Sequence, residues 1–225
     1  MPAPDRISNH SSRRLLAVQE AAVAKLAYAA EQPAAAAVLC GPPGTGKSLV
    51  VETVARILAG AGHACRIVTW QALRESPPRE WPDVLLIDAV DDAAEGELAT
   101  VMSRCWASKP EMRIILAGSG RLLTLVSRDT RLERHLGLRA VLTPCSRGET
   151  RQLVADMLTP RNNEAELSAV TLAVADTIHE ITGGIAADVT RLAGLAAVVA
   201  ADRSGPPLTP AVIERVHGRL AVTAA

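Results

Sequence analysis

Apolar residues fall along this chain in two rhythms. Short continuous runs at residues 35–40, 64–69, 84–87, 113–117 and 138–142 have the length and the aliphatic, β-branched content of strands covered on both faces. Between several of them lie stretches with helical spacing. Residues 12–31 carry Leu15, Leu16, Val18, Val23 and Leu26. A second such stretch, with Val50, Val54, Ile57 and Leu58, runs to about Gly60, and residues 93–106 form a third. The stretch after Thr69, through Pro77, Pro78 and Pro82, reads as a polar connection. Strands alternating with helices predict a parallel sheet between helical layers.

Beyond Pro144 only the helical rhythm remains. Ser146 followed by Glu149 has the spacing of a capping box ahead of Leu153, Val154, Met157 and Leu158. A loop through Pro160, Asn162 and Asn163 leads to a helix marked by Leu167, Val170, Val174, Ile178 and Ile181, which Gly183 and Gly184 stop. A third helix at 186–201 and a fourth opened by Thr209 and Pro210 complete a small bundle. The expected organisation is an α/β core with an N-terminal helix over residues 1–145 and a C-terminal helical lid over 146–225.

Composition narrows the partners. Lys and Arg together number 24 and so do Asp and Glu, so the net charge demands neither nucleic acid nor an anionic membrane. With no Phe, one Tyr and three Trp, the chain is a poor base-stacking platform for single strands. Cys40, Cys65, Cys105 and Cys145 lack CxxC spacing and the five His do not cluster with them, which predicts buried free thiols in a reducing compartment. The apolar stretch 192–201 is too short to span a bilayer, and the N-terminus MPAPDRISNH lacks an apolar signal region. A soluble, cytoplasmic protein is expected.

The chemistry begins where the first strand ends. Gly41, Pro42, Pro43, Gly44, Thr45, Gly46, Lys47 and Ser48 spell GxxxxGKS, with Leu49 opening the helix that follows. The glycines allow a tight turn whose N–H groups converge on a phosphate chain at the positive end of a helix. Lys47 is expected to reach the β- and γ-phosphates, and the Ser48 hydroxyl to ligate Mg²⁺. A chance Gly/Pro turn beside Lys-Ser would not carry these strand and helix flanks. A nucleoside triphosphate with Mg²⁺ is therefore the expected ligand, and the lack of a guanine-reading NKxD pattern favours ATP. The fold class follows: a P-loop NTPase, a three-layer αβα sandwich.

Further candidates sit at the ends of the other strands. Val84 to Ile87 followed by Asp88 describes a buried strand delivering a carboxylate to the carboxyl edge of the sheet, where open α/β folds bind ligands. Asp88 is the candidate Walker B acid, holding Mg²⁺ through its water shell; the plain alternative is an acid that starts a turn. Ser119, after the fourth strand, is a candidate γ-phosphate sensor or a simple turn residue. Arg128, Arg131 and Arg134 recur within the basic stretch 121–139, either as a solvated face or as a source of an arginine for a neighbouring subunit's nucleotide.

These features together resemble the AAA+ ATPases, and within them the ExeA or general-secretion-pathway-A type, whose relatives include ATP-dependent helpers of transposition. The likeness covers residues 14–220. Besides GPPGTGKS and VLLID it rests on LAGSGRLL, LGLRAVLTPCSRGET and TGGIAADVTRL. It implies a five-stranded parallel sheet of order 5-1-4-3-2, ATP with Mg²⁺, and a homo-oligomer in the ATP state. A protein partner is expected, and DNA is a possible one.

The departures concern cleavage. The family places Glu after the Walker B Asp, whereas Ala89 stands there, leaving Asp91 or Asp92 to serve through a water. The lid pattern GGxPR falls on Ala186 and Ala187, so Arg191, one turn on, is the substitute. His135 occupies the place of an arginine before the fifth strand, with Arg134 beside it. Tight ATP binding with slow hydrolysis is expected, as in a weak ATPase motor or switch. An ATP-gated scaffold without useful turnover and a DNA adaptor of transposition type are the alternatives. A small-molecule kinase ranks low, because the helical bundle trails the core instead of inserting into it.

Overall fold

The computed structural model describes residues 15–32, 36–158, 169–201 and 207–223. The expected start of the first helix at 12–14, the loop of Pro160, Asn162 and Asn163, and Leu167 lie outside them.

Among the described residues five strands form one parallel sheet: β1 (Ala36–Cys40), β2 (Cys65–Thr69), β3 (Val84–Asp88), β4 (Arg113–Gly118) and β5 (Leu136–Val141). Their order across the sheet, β5-β1-β4-β3-β2, is the order implied by the resemblance. Successive side chains on a strand point to opposite faces, so each central strand feeds two cores. Ala37, Leu39, Leu86, Ile115 and Ala117 face helices α1 (Ala17–Glu31) and α2 (Lys47–Gly60). Val38, Leu85, Ile87, Ile114 and Leu116 face the other layer, α3 (Trp70–Glu75), α4 (Glu97–Ser108), α5 (Gly120–Arg128) and α6 (Thr130–Glu133). The result is a three-layer αβα sandwich around a parallel sheet, the P-loop NTPase α/β fold.

Three expectations are corrected. The connection after Thr69, expected to be polar, opens with a helix that has a buried side: the Thr69 hydroxyl accepts from the Ala72 N–H, and Trp70 and Leu73 are buried on the short α3. Helix α4 begins at Glu97 instead of 93, because Gly96 before it sits at φ 76° and a left-handed residue cannot lie within a helix. Strand β5 begins two residues early, at Leu136, because its pairing slips beside Ala36 and Ala37 and skips Gly137.

The helices beyond residue 146 bury a core of their own. α7 (Arg147–Leu158), α8 (Ala169–Thr182), α9 (Ala186–Ala201) and α10 (Pro210–Thr223) contribute Val154, Val174, Ile178, Val189, Leu192 and Ile213 to it. The Ser146–Glu149 capping box forms reciprocally, with the Ser146 N–H donating to Glu149 at 2.8 Å and the Glu149 N–H to Ser146 Oγ at 3.2 Å. Gly183 and Gly184, at φ 58° and 74°, end α8.

Candidate functional site

The loop after β1 lies at the carboxyl edge of the sheet, and its shape follows from its glycines. Gly44 and Gly46 stand at φ 79° and 93°, a conformation that side chains with a Cβ rarely adopt. Gly41 is needed for space instead: a Cβ there would lie 2.5 Å from the Leu142 carbonyl. The buried Thr45 closes the loop on itself through a hydroxyl bond to the Pro42 carbonyl at 2.8 Å. Pro42, Pro43 and Gly44 are exposed. The Lys47 ammonium curls over the turn and donates to the carbonyls of Gly41 (2.8 Å) and Pro42 (3.0 Å). Leu49, half-buried in the first turn of α2, follows.

Across β4 from the loop, β3 ends in Asp88. The Ser48 hydroxyl donates to Asp88 Oδ2 at 2.6 Å, and the other carboxylate oxygen accepts the Ala89 N–H at 2.8 Å. A hydroxyl and a carboxylate converging beside a loop of backbone donors form an oxygen donor set of the kind Mg²⁺ takes alongside a phosphate chain. These residues therefore fit Mg²⁺ and a nucleotide.

The residues meant to accelerate cleavage are placed differently. Ala89 has φ 56°, the one left-handed residue with a side chain among the described residues, so the backbone turns away from the strand at that point. A 3₁₀ turn, Val90–Asp92, follows, and Asp91 accepts the Ser119 N–H, tying the end of β3 to the end of β4. Asp92 is exposed. Ser119 is the N-cap of α5, its hydroxyl accepting from Arg121 at 3.3 Å, so it does the work of a capping residue. Arg191 is exposed and pairs with Asp188 of its own helix at 3.0 Å. Arg134 is exposed at the end of α6. Its basic neighbours are engaged within the chain: Arg128 with Glu95, Arg131 with Asp129 and Arg139 with Glu133.

Two contacts on the loop were missed by sequence reasoning. The lid touches it directly: the Ala187 N–H donates to the Gly44 carbonyl at 2.9 Å, and Ile185 Cγ2 would lie 2.6 Å from a Cβ added to Gly44. The only sign of this in the sequence is the Gly183-Gly184 break before α9. From the other side, the buried Gln19 of α1 donates to the Thr45 carbonyl at 3.0 Å. Its spacing from Leu16 suggests a helix cap and nothing more.

Three of the four thiols are buried and Cys65 is half-buried. Burial raises all four above the ordinary thiol range, Cys105 to about 11. Among the described residues no group of three or more His, Cys, Asp and Glu gathers in a way that could hold a metal ion, and no helix is long and apolar enough to cross a membrane.

No family model matches the sequence, and no curated protein matches it. Solved structures do. The Thermotoga maritima RuvB Holliday junction branch migration motor superposes with a TM-score of 0.62 at 16% identity, over 88% of this chain and 66% of that one. The ORC2 protein of Aeropyrum pernix, in ADPNP and ADP complexes, gives 0.55 at 14% identity over 88% and 65%. Replication initiator DnaA bound to AMPPCP and single-stranded DNA gives 0.50 at 18% identity over 79% and 60%. Identities this low establish the shared fold alone, and the chain spans about two thirds of the RuvB length.

Proposed function

We propose that this protein binds ATP with Mg²⁺ and works as a nucleotide-dependent switch or slow ATPase that organises an oligomer or a partner. The observation that carries the reading is the Ser48–Asp88 pair beside the loop of left-handed glycines. In this reading Gly41 to Ser48 hold the phosphates, Lys47 contacts the β- and γ-phosphates, and Ser48 and Asp88 hold the metal, Asp88 through water. Mg²⁺ bound there supplies neutralisation of the charge on the phosphate oxygens. The 1–145 core carries the nucleotide and the 146–225 lid responds to it.

Slow cleavage is supported by what occupies the accelerating positions. Position 89 has only a methyl group, Asp91 spends a carboxylate oxygen on Ser119, and Arg191 is engaged with Asp188. Loss of a positioned base costs about two to four orders of magnitude in rate. Arg134 is the arginine of the basic stretch best placed to serve a neighbouring subunit in an oligomer. That most other arginines of this stretch are neutralised inside the chain counts against a DNA adaptor, although one structure of the same fold holds single-stranded DNA. The ExeA-like subtype remains a reading of the sequence motifs.

The test is binding of a fluorescent ATP analogue with Mg²⁺ beside phosphate release, for wild type and Lys47→Ala. Binding that Lys47→Ala reduces at least tenfold, with release slower than about one per minute, is the expected result. Equal binding by both proteins would overturn the reading. Fast release dependent on Lys47 would replace the switch with a working ATPase.

A further inference from the structure

Gln19 makes two hydrogen bonds that no helix cap requires together. Its Oε1 accepts the Leu16 N–H at 3.0 Å, closing the start of α1. Its Nε2 donates to the Thr45 carbonyl at 3.0 Å, across 26 residues of sequence. The chemistry fixes the orientation of the amide, because a backbone N–H only donates and a carbonyl only accepts. With 3% of its surface exposed, the side chain has no water to substitute for either bond. Gly46 is fitted to this arrangement as well: a Cβ there would lie 2.4 Å from the Gln19 nitrogen.

The Thr45 carbonyl belongs to the peptide plane it shares with the Gly46 N–H. In a planar trans peptide the two point in opposite directions, and among the described residues no peptide is cis. Holding that carbonyl towards α1 therefore directs the Gly46 N–H away from it. A P-loop binds anions through such N–H groups in a fixed array, and an array ordered in advance spares the ligand the cost of ordering it.

We infer that Gln19 is a positioning residue for nucleotide binding: it locks the Thr45–Gly46 peptide of the P-loop in its phosphate-accepting orientation. This rests on the proposed ATP binding. The residue touches no phosphate itself; it acts through the loop.

The experiment compares wild type, Gln19→Met and Leu26→Ala by equilibrium binding of a fluorescent ATP analogue with Mg²⁺, at a temperature where each is folded, with melting curves in parallel. Methionine keeps the volume and loses both bonds. Leu26, fully buried on the same helix, lowers stability when truncated but has no place at the loop. The expected result is an affinity about tenfold weaker for Gln19→Met and unchanged for Leu26→Ala, although both melt earlier. Equal loss in the two variants, or none in Gln19→Met, overturns the inference and leaves ATP binding standing. Should Gln19→Met not fold, Gln19→Asn, which withdraws the amide by one methylene, is read in the same way. No binding by wild type removes the proposed function instead.

Discussion

At Ala89 the chain gives up strand geometry at the position where relatives of the expected family carry a glutamate. A residue with a Cβ held at φ 56° costs about 1–2 kcal/mol. Glycine relieves that cost but adds about 0.4–1 kcal/mol of unfolded-state entropy. Ala89 is exposed, so its methyl contributes no packing to offset the relief. Ala89→Gly is therefore expected to stabilise the protein by about 0.5–1 kcal/mol in urea denaturation. A loss of stability would show that the turn carries no strain. This conformation could not be read from the sequence, since alanine gives no sign of a left-handed turn. Ser48 and Asp88 were legible, because strand, loop and helix announce their own geometry. Gln19 was not, because its decisive partner is remote in sequence and the spacing to Leu16 already accounts for a glutamine there.

Among elements, those legible in the sequence were the ones whose burial leaves a continuous or periodic trace. Strands β1, β3 and β4 are covered on both faces, so they appear as unbroken apolar runs. Helix α3 is too short to show a period, and only the two buried residues Trp70 and Leu73 mark it. The ion pairs between α7 and α8 were equally hidden, since their partners lie far apart in the chain. Arg151 grips Asp176 with two bonds of 2.8 Å, and Arg147 reaches Glu180 at 3.0 Å. The Arg151 guanidinium, through its hydrogen bonds, holds the Asp176 carboxyl below its ordinary range, against the opposing effect of burial. A carboxyl lowered on folding adds stability at pH values above its unfolded pKa and loses it as the pH falls through about 4 and below. The pair is partly exposed, so the effect is modest. Wild type is expected to melt above Asp176→Asn at neutral pH, the gap closing as the pH drops below about 4. A gap that persists in acid would assign the stabilisation to packing and not to charge.

For the molecule as a whole, the question is how the lid learns what the loop holds. The arginine that the family pattern would supply is replaced by Ala187, yet Ala187 still reaches the loop, through its backbone N–H to Gly44. One turn earlier the Cys145 N–H donates to the Gly184 carbonyl at 2.8 Å, so the lid is joined to the core at both its entry and its third helix. Gly184 is the weak point of this seam. It stands at φ 74°, and a Cβ would fall 2.4 Å from the Cys145 carbonyl, a backbone atom that cannot swing aside. Gly184→Ala is therefore expected to open the seam while leaving the loop and the cores of the sheet and the lid in place. In calorimetry, wild type is expected to unfold in one transition that Mg·ATP at a hundred times its dissociation constant stabilises by about 2.7 kcal/mol. Gly184→Ala is expected to unfold in two, the earlier one insensitive to nucleotide because it belongs to a lid no longer bound to the loop. A single, fully nucleotide-responsive transition in the variant would mean that the lid senses the ligand without this backbone contact, and the coupling would have to be sought at Ile185 and along α9.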